Sequence, residues 1–388
     1  MRNIVIAPDS FKGTLTAREI CTIISDTVYR YFPDVKITCI PMADGGEGLV
    51  EAYLNVLGGT RKEAVVTGPN GKPVRSEYGI LGDGTAVMEM AACAGLPLMG
   101  GRLDPAHATT YGVGELLRKI SGTGIRKVLI GVGGSATNDM GIGMAAALGY
   151  EFLDKDYRRI EPMPYNLGLI EHIRKPEKEL KLRITVACDV NNPLCGPNGA
   201  TYTFGKQKGI TEEKMEEFDR DICHFAKVIE REFSTAIRHI AGAGAAGGLA
   251  AGLIAFLNAK LQPGIELFLD TISFDELLKS TDLVFTGEGR IDWQSMAGKV
   301  PVGISRRSAR AGVPCVALCG SVGLKAELAY KEGMAAIFSS VRDFNDKQMN
   351  KEDYAENLRF LTDSVMRVMA LKMGGETVGK RDITGKGA

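Results

Sequence analysis

The chain has 388 residues, 45% hydrophobic and 24% charged, the balance of a globular protein large enough for two domains and not of a disordered one. Its 47 Lys and Arg equal its 47 Asp and Glu, so no overall field draws it to nucleic acid or to an anionic membrane, and a small-molecule partner is expected. No apolar run approaches the roughly 20 residues needed to span a bilayer.

In chain order, Ile4 to Ala7 reads as a first strand, and Thr16-Ala17-Arg18-Glu19 as a capping box that opens a helix with Ile20, Ile23, Ile24 and Val28 on one face. Met1 to Ala7 is therefore a strand and not a signal peptide, and a reduced, cytoplasmic location is expected. Lys36 to Pro41 is the next strand, and a helix with Leu49, Val50, Tyr53, Leu54 and Leu57 follows. Strand and helix alternate, which predicts a parallel sheet. From Glu63 to Ala91, three extended runs separated by Pro69-Asn70-Gly71 and Gly82-Asp83-Gly84 predict antiparallel pairing. A helix around Gly112 to Ile120, a strand Lys127 to Val132, a small-residue helix ending at Leu148 and a strand Leu182 to Cys188 come next. A helix with Met215, Phe218, Ile222, Phe225 and Ile229 precedes a glycine and alanine tract from Ala241 to Gly252. Strand and helix then alternate again from Leu283 to a last amphipathic helix, about Glu352 to Met373. The layout predicts two α/β domains, one built from residues 1–66 and 282–388 and the other, residues 67–281, inserted into it. A split in sequence order is the competing layout.

Five predicted strands end in acids, amides or hydroxyls mixed with glycine or proline: at Pro8-Asp9-Ser10, Pro41 to Gly48, Gly133 to Asp139, Asp189 to Pro193, and Thr286 to Asp292. Ligands of open α/β sheets gather at such ends, so a common mouth is expected. The loop Gly131 to Thr137 fits a phosphate cradle, with Gly133 and Gly134 for close backbone approach, Ser135 and Thr137 as hydroxyls, and a helix N-terminus behind. It also fits the dinucleotide pattern G-x-G-x-x-A, but no acid closes a strand about 20 residues on. The run Gly242 to Gly247 matches G-x-G-x-x-G, yet close packing is its expected meaning. Gly298-Lys299 is followed by Val300, so there is no Walker motif.

The eight cysteines form no Cys-x-x-Cys pair, and Cys21, Cys39, Cys188, Cys315 and Cys319 are expected to be core thiols. The four histidines are too scattered for a local metal motif. What remains is carboxylates, lysines and glycine loops, the set that phosphoryl transfer needs. Asp189, ending an apolar strand, is the first choice for general base and Asp292 the second. Glu288, Asp292 and Asp44 are candidates to hold Mg²⁺, against a helix-dipole role for Asp44. Lys12 and Lys299 are candidate anion contacts, and Ser10, Asn191 and Arg290 candidate substrate contacts. Asn138 and Asp139 can be simple helix caps, and Trp293 is expected to pack.

The strings APDSFKGTL (Ala7 to Leu15), PMADGGEG (Pro41 to Gly48), GVGGSATND (Gly131 to Asp139), CDVNNPLCGPNGA (Cys188 to Ala200), GAGAAGGLA (Gly242 to Ala250) and TGEGRIDWQSMAGK (Thr286 to Lys299) together resemble the bacterial two-domain glycerate kinase family. The resemblance implies ATP-dependent, Mg²⁺-assisted phosphorylation of D-glycerate, at the 2-hydroxyl, in a closing cleft. It also implies a Rossmann-like, RNase-H-like parallel-sheet domain from both termini with an inserted flavodoxin-like mixed α/β domain. Two rivals fit parts of the sequence: an NAD-dependent hydroxy-acid dehydrogenase, for the G-x-G-x-x-A loop, and a non-catalytic sugar-acid binding protein, for the two-domain layout.

Overall fold

The computed structural model describes residues 1–11, 13–42, 48–342 and 350–373. The chain divides into two compact units, Met1–Ala43 with Ser273–Ala388, and Asp44–Ile272. Both changeovers come earlier in the chain than the expected 66 and 281. The strand Thr60–Thr67 pairs along its whole length with Pro73–Ile80, so the chain has entered the second unit before residue 60. On the return, the helix Phe274–Leu278 already packs on Val300–Arg310, with Arg307 Nη1 2.9 Å from Asp275 Oδ2.

The terminal unit holds a five-stranded sheet in the order Ala336–Ser339, Cys315–Cys319, Leu283–Gly287, Asn3–Pro8, Lys36–Cys39, every pairing parallel. Counted along this unit, the order is 2-1-3-4-5, and winding reverses between Asn3–Pro8 and Leu283–Gly287. Ile4, Ile6, Leu283, Phe285, Val316 and Leu318 share one face, where they meet Ile20, Ile24 and Val28 of the helix Ala17–Tyr31 and Leu358, Val365 and Met366 of the helix Lys351–Met373. Burying each such side chain contributes about 1.5–3 kcal/mol. Residues one step out of phase, Val5, Val284 and Cys315, turn to the other face. The capping box forms as read: Thr16 Oγ1 accepts from the Glu19 N–H at 3.2 Å, and Glu19 accepts from the Thr16 N–H at 2.9 Å. Cys39 departs from expectation, because it ends an edge strand and is exposed.

The second unit holds a six-stranded mixed sheet in the order Lys260–Gln262, Arg183–Ala187, Lys127–Gly131, Ala86–Glu89, Pro73–Ile80, Thr60–Thr67. The first four strands run parallel, and the last three form the expected antiparallel meander. Neighbours here follow chain order, because the meander and the crossovers each add a strand on the same side. The 2-1-3-4-5 flavodoxin order expected of this insertion therefore does not describe its sheet. Its core gathers Val87's neighbours Ala86 and Met88, Val128, Ile130 and Val186 with Leu116, Ile222, Phe225 and Leu253 from the covering helices. The glycine and alanine tract is a series of turns up to Gly248, and helix begins only at Leu249.

The five polar strand ends consequently divide between two sheets. Those after Pro8, Cys39 and Gly287 belong to the terminal unit, and those after Gly131 and Ala187 to the other. Among the described residues no helix is long and apolar enough to cross a membrane.

Candidate active site

In the terminal unit, parallel register pairs Pro8 with Gly287, so the next residues, Asp9 and Glu288, leave the sheet side by side at its switch point. The Asp9 N–H donates to the Gly287 carbonyl at 2.8 Å. Both carboxylates are buried, Asp9 at 4% and Glu288 at 5% exposure. A Cβ on Gly287 would lie 2.0 Å from the Leu318 carbonyl oxygen, so only glycine lets the neighbouring strand close in here. Burial pushes the Glu288 carboxyl above its usual pKa, against the opposing pull of the Ser295 hydroxyl, which donates to Oε1, and of Lys299, whose Nζ lies 3.5 Å from Oε2.

Asp292 is half-buried and has local work. Its Oδ1 accepts from the Gln294 N–H at 2.9 Å and its own N–H donates to Ser295 Oγ at 3.2 Å, a capping box for the short turn Trp293–Ala297. Arg290, largely exposed, pairs with it at 3.3 Å. The Ser10 N–H donates to Asp9 Oδ1 at 2.7 Å and its hydroxyl to the same oxygen at 3.4 Å. Trp293 is 56% exposed, so the expected packing role is corrected. Lys12 and Asp44 lie outside the described residues.

In the second unit, the loop after Lys127–Gly131 is tied to the turn Ala91–Ala94: Ala136 N–H donates to the Ala94 carbonyl at 2.9 Å, and Leu96 N–H to that of Gly134 at 3.0 Å. Gly133 is half-buried, Gly134 is exposed with φ 70°, and Ser135 is buried. Thr137 and Asn138 are fully buried, and among the described residues Thr137 Oγ1 and Asn138 Oδ1 have no hydrogen-bond partner. Gly247 (φ 64°) presses on this loop, since a Cβ there would lie 2.1 Å from the Thr137 carbonyl oxygen. Met140 and Ala246, on the two sides of that contact, both adopt left-handed backbone, φ 52° and 54°. Such strain persists only where surroundings over-determine it. The tract's glycines thus serve close packing, as its sequence suggested.

Asp139 takes the role of a cap. Its carboxylate accepts from the Thr110 N–H and hydroxyl at 2.8 and 2.7 Å, and from the N–H groups of Gly141 and Gly143 at 3.0 and 3.3 Å. Burial raises its pKa and these donors oppose the rise. The helix Ile142–Ala147 therefore spends its first N–H groups on Asp139, which corrects the expectation that they point at a bound anion. Asp189, half-buried, accepts from the Gly264 N–H at 2.7 Å and so holds the start of the helix Gly264–Thr271, while Asn191 is exposed.

The profile of the glycerate kinase family matches residues 4–370. The chain belongs to the glycerate kinase family. It is 44% identical over 349 residues to a glycerate kinase of Halalkalibacterium halodurans, covering 88% of this chain and 91% of that one. It is 41% identical over 341 residues to the glycerate 2-kinase of Escherichia coli, covering 87% and 90%. A crystal structure from Salmonella typhimurium LT2, provisionally named glycerate kinase 2, superposes with a TM-score of 0.83 at 37% identity over 97% of this chain and all of that one.

This membership makes the chain a kinase and leaves the dehydrogenase reading without support, in keeping with the capped helix: a dinucleotide pyrophosphate needs the N–H groups that Asp139 occupies. Three polar residues, two of them at sheet ends, were given no role by the sequence reading. Asp9 stood inside a quoted string, and the pairing of Pro8 with Gly287 singles it out. Glu89 ends the strand Ala86–Glu89 and accepts from the Gly48 and Val50 N–H groups at 3.2 and 3.0 Å. Lys208 is 1% exposed and donates from Nζ to the Thr137 carbonyl at 2.7 Å. Its only sequence signal is the pair of glycines, Gly205 and Gly209, that brackets Lys206 to Lys208.

Proposed function

We propose that this kinase transfers the γ-phosphoryl group of ATP to the 2-hydroxyl of D-glycerate, giving 2-phosphoglycerate and ADP. The observation that carries the reading is the pair of buried carboxylates, Asp9 and Glu288, at the carboxyl ends of the two strands where winding reverses, with Lys299 3.5 Å from Glu288. Kinase membership supplies the reaction class, and the relative named glycerate 2-kinase supports the position of transfer.

The chemistry asks little covalent work of the protein. The glycerate hydroxyl oxygen attacks the γ-phosphorus, its proton passes to a carboxylate, and the bond from the γ-phosphorus to the bridging oxygen breaks to release ADP. Asp189 is assigned as that base, with Lys12 as an anion contact. Gly133, Gly134, Ser135 and Lys299 are assigned to phosphate. Thr137 leaves that set because its hydroxyl is buried. Ser10, Asn191 and Arg290 are assigned to the substrate's carboxylate and hydroxyls. The reading also takes the terminal unit as the Rossmann-like domain and the second unit as its insertion.

Mg²⁺ suits the donor set. It binds through one or two carboxylates and keeps water and phosphate oxygens for the rest. Among the described residues no group of three or more His, Cys, Asp or Glu gathers. Glu288 would hold the ion with one further carboxylate, for which Asp9, Asp292 and Asp44 are the candidates. When bound, Mg²⁺ neutralises phosphate charge as it develops.

A coupled ADP-release assay with D-glycerate, L-glycerate, tartronate and glycerol, with phosphorus NMR of the product, tests the proposal. Mg²⁺-dependent turnover with D-glycerate and a 2-phosphoglycerate resonance are expected. Binding of glycerate without ADP release would leave the sugar-acid binding protein as the better reading.

A further inference from the structure

A lysine with its ammonium sealed from water is costly, and a hydrophobic side chain of the same size in its place is often neutral or stabilising. Lys208 sits at 1% exposure on the short turn Lys206–Lys208, which Gly209 ends in a left-handed conformation, φ 94°. Its Nζ meets the Thr137 carbonyl at 2.7 Å. Asp139, two residues further along the same loop and also fully buried, is the charge that favours the ammonium. Burial works the other way and brings the lysine's pKa down to about 7.

The carbonyl that Lys208 holds is the same one that Gly247 approaches, and it lies between two side chains whose buried oxygens, Thr137 Oγ1 and Asn138 Oδ1, lack partners among the described residues. Asn138 is tethered on its other side, Nδ2 donating to Thr201 Oγ1 at 3.1 Å. A peptide unit is planar, so pinning the Thr137 carbonyl also fixes the direction of the Asn138 N–H. Two residues before it in the chain stand Ser135 and, next to that, the exposed Gly134. The loop's inner end is thus clamped by a buried N–H donor, while its outer end stays accessible.

We infer that Lys208 is a positioning residue of the glycine-rich loop, holding the Thr137 carbonyl so that Gly133, Gly134 and Ser135 keep the conformation that receives the nucleotide's phosphates. The inference rests on the phosphate role proposed for that loop. It gives Lys208 no contact with substrate.

Steady-state kinetics of the full-length enzyme with ATP and D-glycerate test it in Lys208→Met, Lys208→Gln and Gly134→Ala, each checked for folding by thermal melting. Lys208→Met keeps the bulk and removes the donor. It should raise KM for ATP at least tenfold and move KM for D-glycerate less than threefold. Lys208→Gln keeps an N–H donor and should recover most of the ATP affinity. Gly134→Ala, strained at φ 70°, should raise KM for ATP independently. If Gly134→Ala weakens ATP and Lys208→Met does not, the inference about Lys208 is overturned and the loop's role stands. If neither weakens ATP, the loop's phosphate role has failed and the inference goes with it. Equal loss for both substrates, or failure of both Lys208 variants to fold, assigns Lys208 to the fold and also overturns the inference.

Discussion

Glu288 is poised between two opposing influences, and under the metal role proposed for it the balance sets the pH at which it would hold a cation. Burial favours the neutral acid, while the Ser295 hydroxyl and the Lys299 ammonium favour the carboxylate. Burial wins, so the folded pKa lies above the ordinary value of 4.5. Under the metal role proposed for Glu288 only the ionised form would bind Mg²⁺, so activity should fall as pH drops through that raised pKa. The Ser295→Ala enzyme loses a donor to the ionised form, which raises the pKa further and moves the acid limb of kcat/KM to higher pH. A pH–rate profile of both enzymes checks this. An acid limb that stays in place would remove Glu288 from the ionisation that controls the rate.

At the scale of elements, the start of one helix hangs on the candidate base. Asp189 accepts from Gly264, the first residue of the helix Gly264–Thr271, and asparagine keeps a side-chain oxygen that can accept the same bond. Asp189→Asn should therefore melt within a few degrees of the wild type while losing turnover by about 10²–10⁴, the range attributed to general base catalysis. Wild-type rates in that variant would remove Asp189 as base and leave it a cap. The helices and strands themselves were largely legible. The capping box at Thr16, the meander turns at Pro69 to Gly71 and Gly82 to Gly84, and the apolar runs of the buried strands are local signals that packing did not override. Register and burial were not legible, because they depend on partners far away in the chain. Nothing near Asp9 announces Glu288 as its neighbour, and nothing in Lys206-Gln207-Lys208 says which lysine turns inward. The inward turn of Thr137 was hidden for the same reason, since Gly247 presses on it from elsewhere in the chain, whereas the cap made by Asp139 was among the readings the sequence offered.

For the molecule as a whole, the order of the chain sets unequal conditions for the two units. The second unit is continuous, Asp44–Ile272, and can close its core from its own residues. The terminal unit must draw its core from both ends of the chain: Asn3–Pro8 lies between Lys36–Cys39 and Leu283–Gly287, and the helix Ala17–Tyr31 packs on Lys351–Met373. Its first strand must wait for residues roughly 280 positions later, with the loop-closure cost that implies. A stop after Asn350 removes Leu358, Val365 and Met366 from the terminal core, at about 1.5–3 kcal/mol for each buried side chain, a sum comparable with the stability of an entire domain. It takes nothing from the core around Ile130, Val186 and Phe225. Hydrogen exchange read by mass spectrometry on the shortened chain should show peptides covering Ile4 to Ala7 and Leu283 to Phe285 exchanging fast. Those covering Lys127–Gly131 and Arg183–Ala187 should stay protected. Loss of protection in both sets together would mean that the second unit does not hold its fold without a complete terminal unit, and would make the whole chain a single cooperative body.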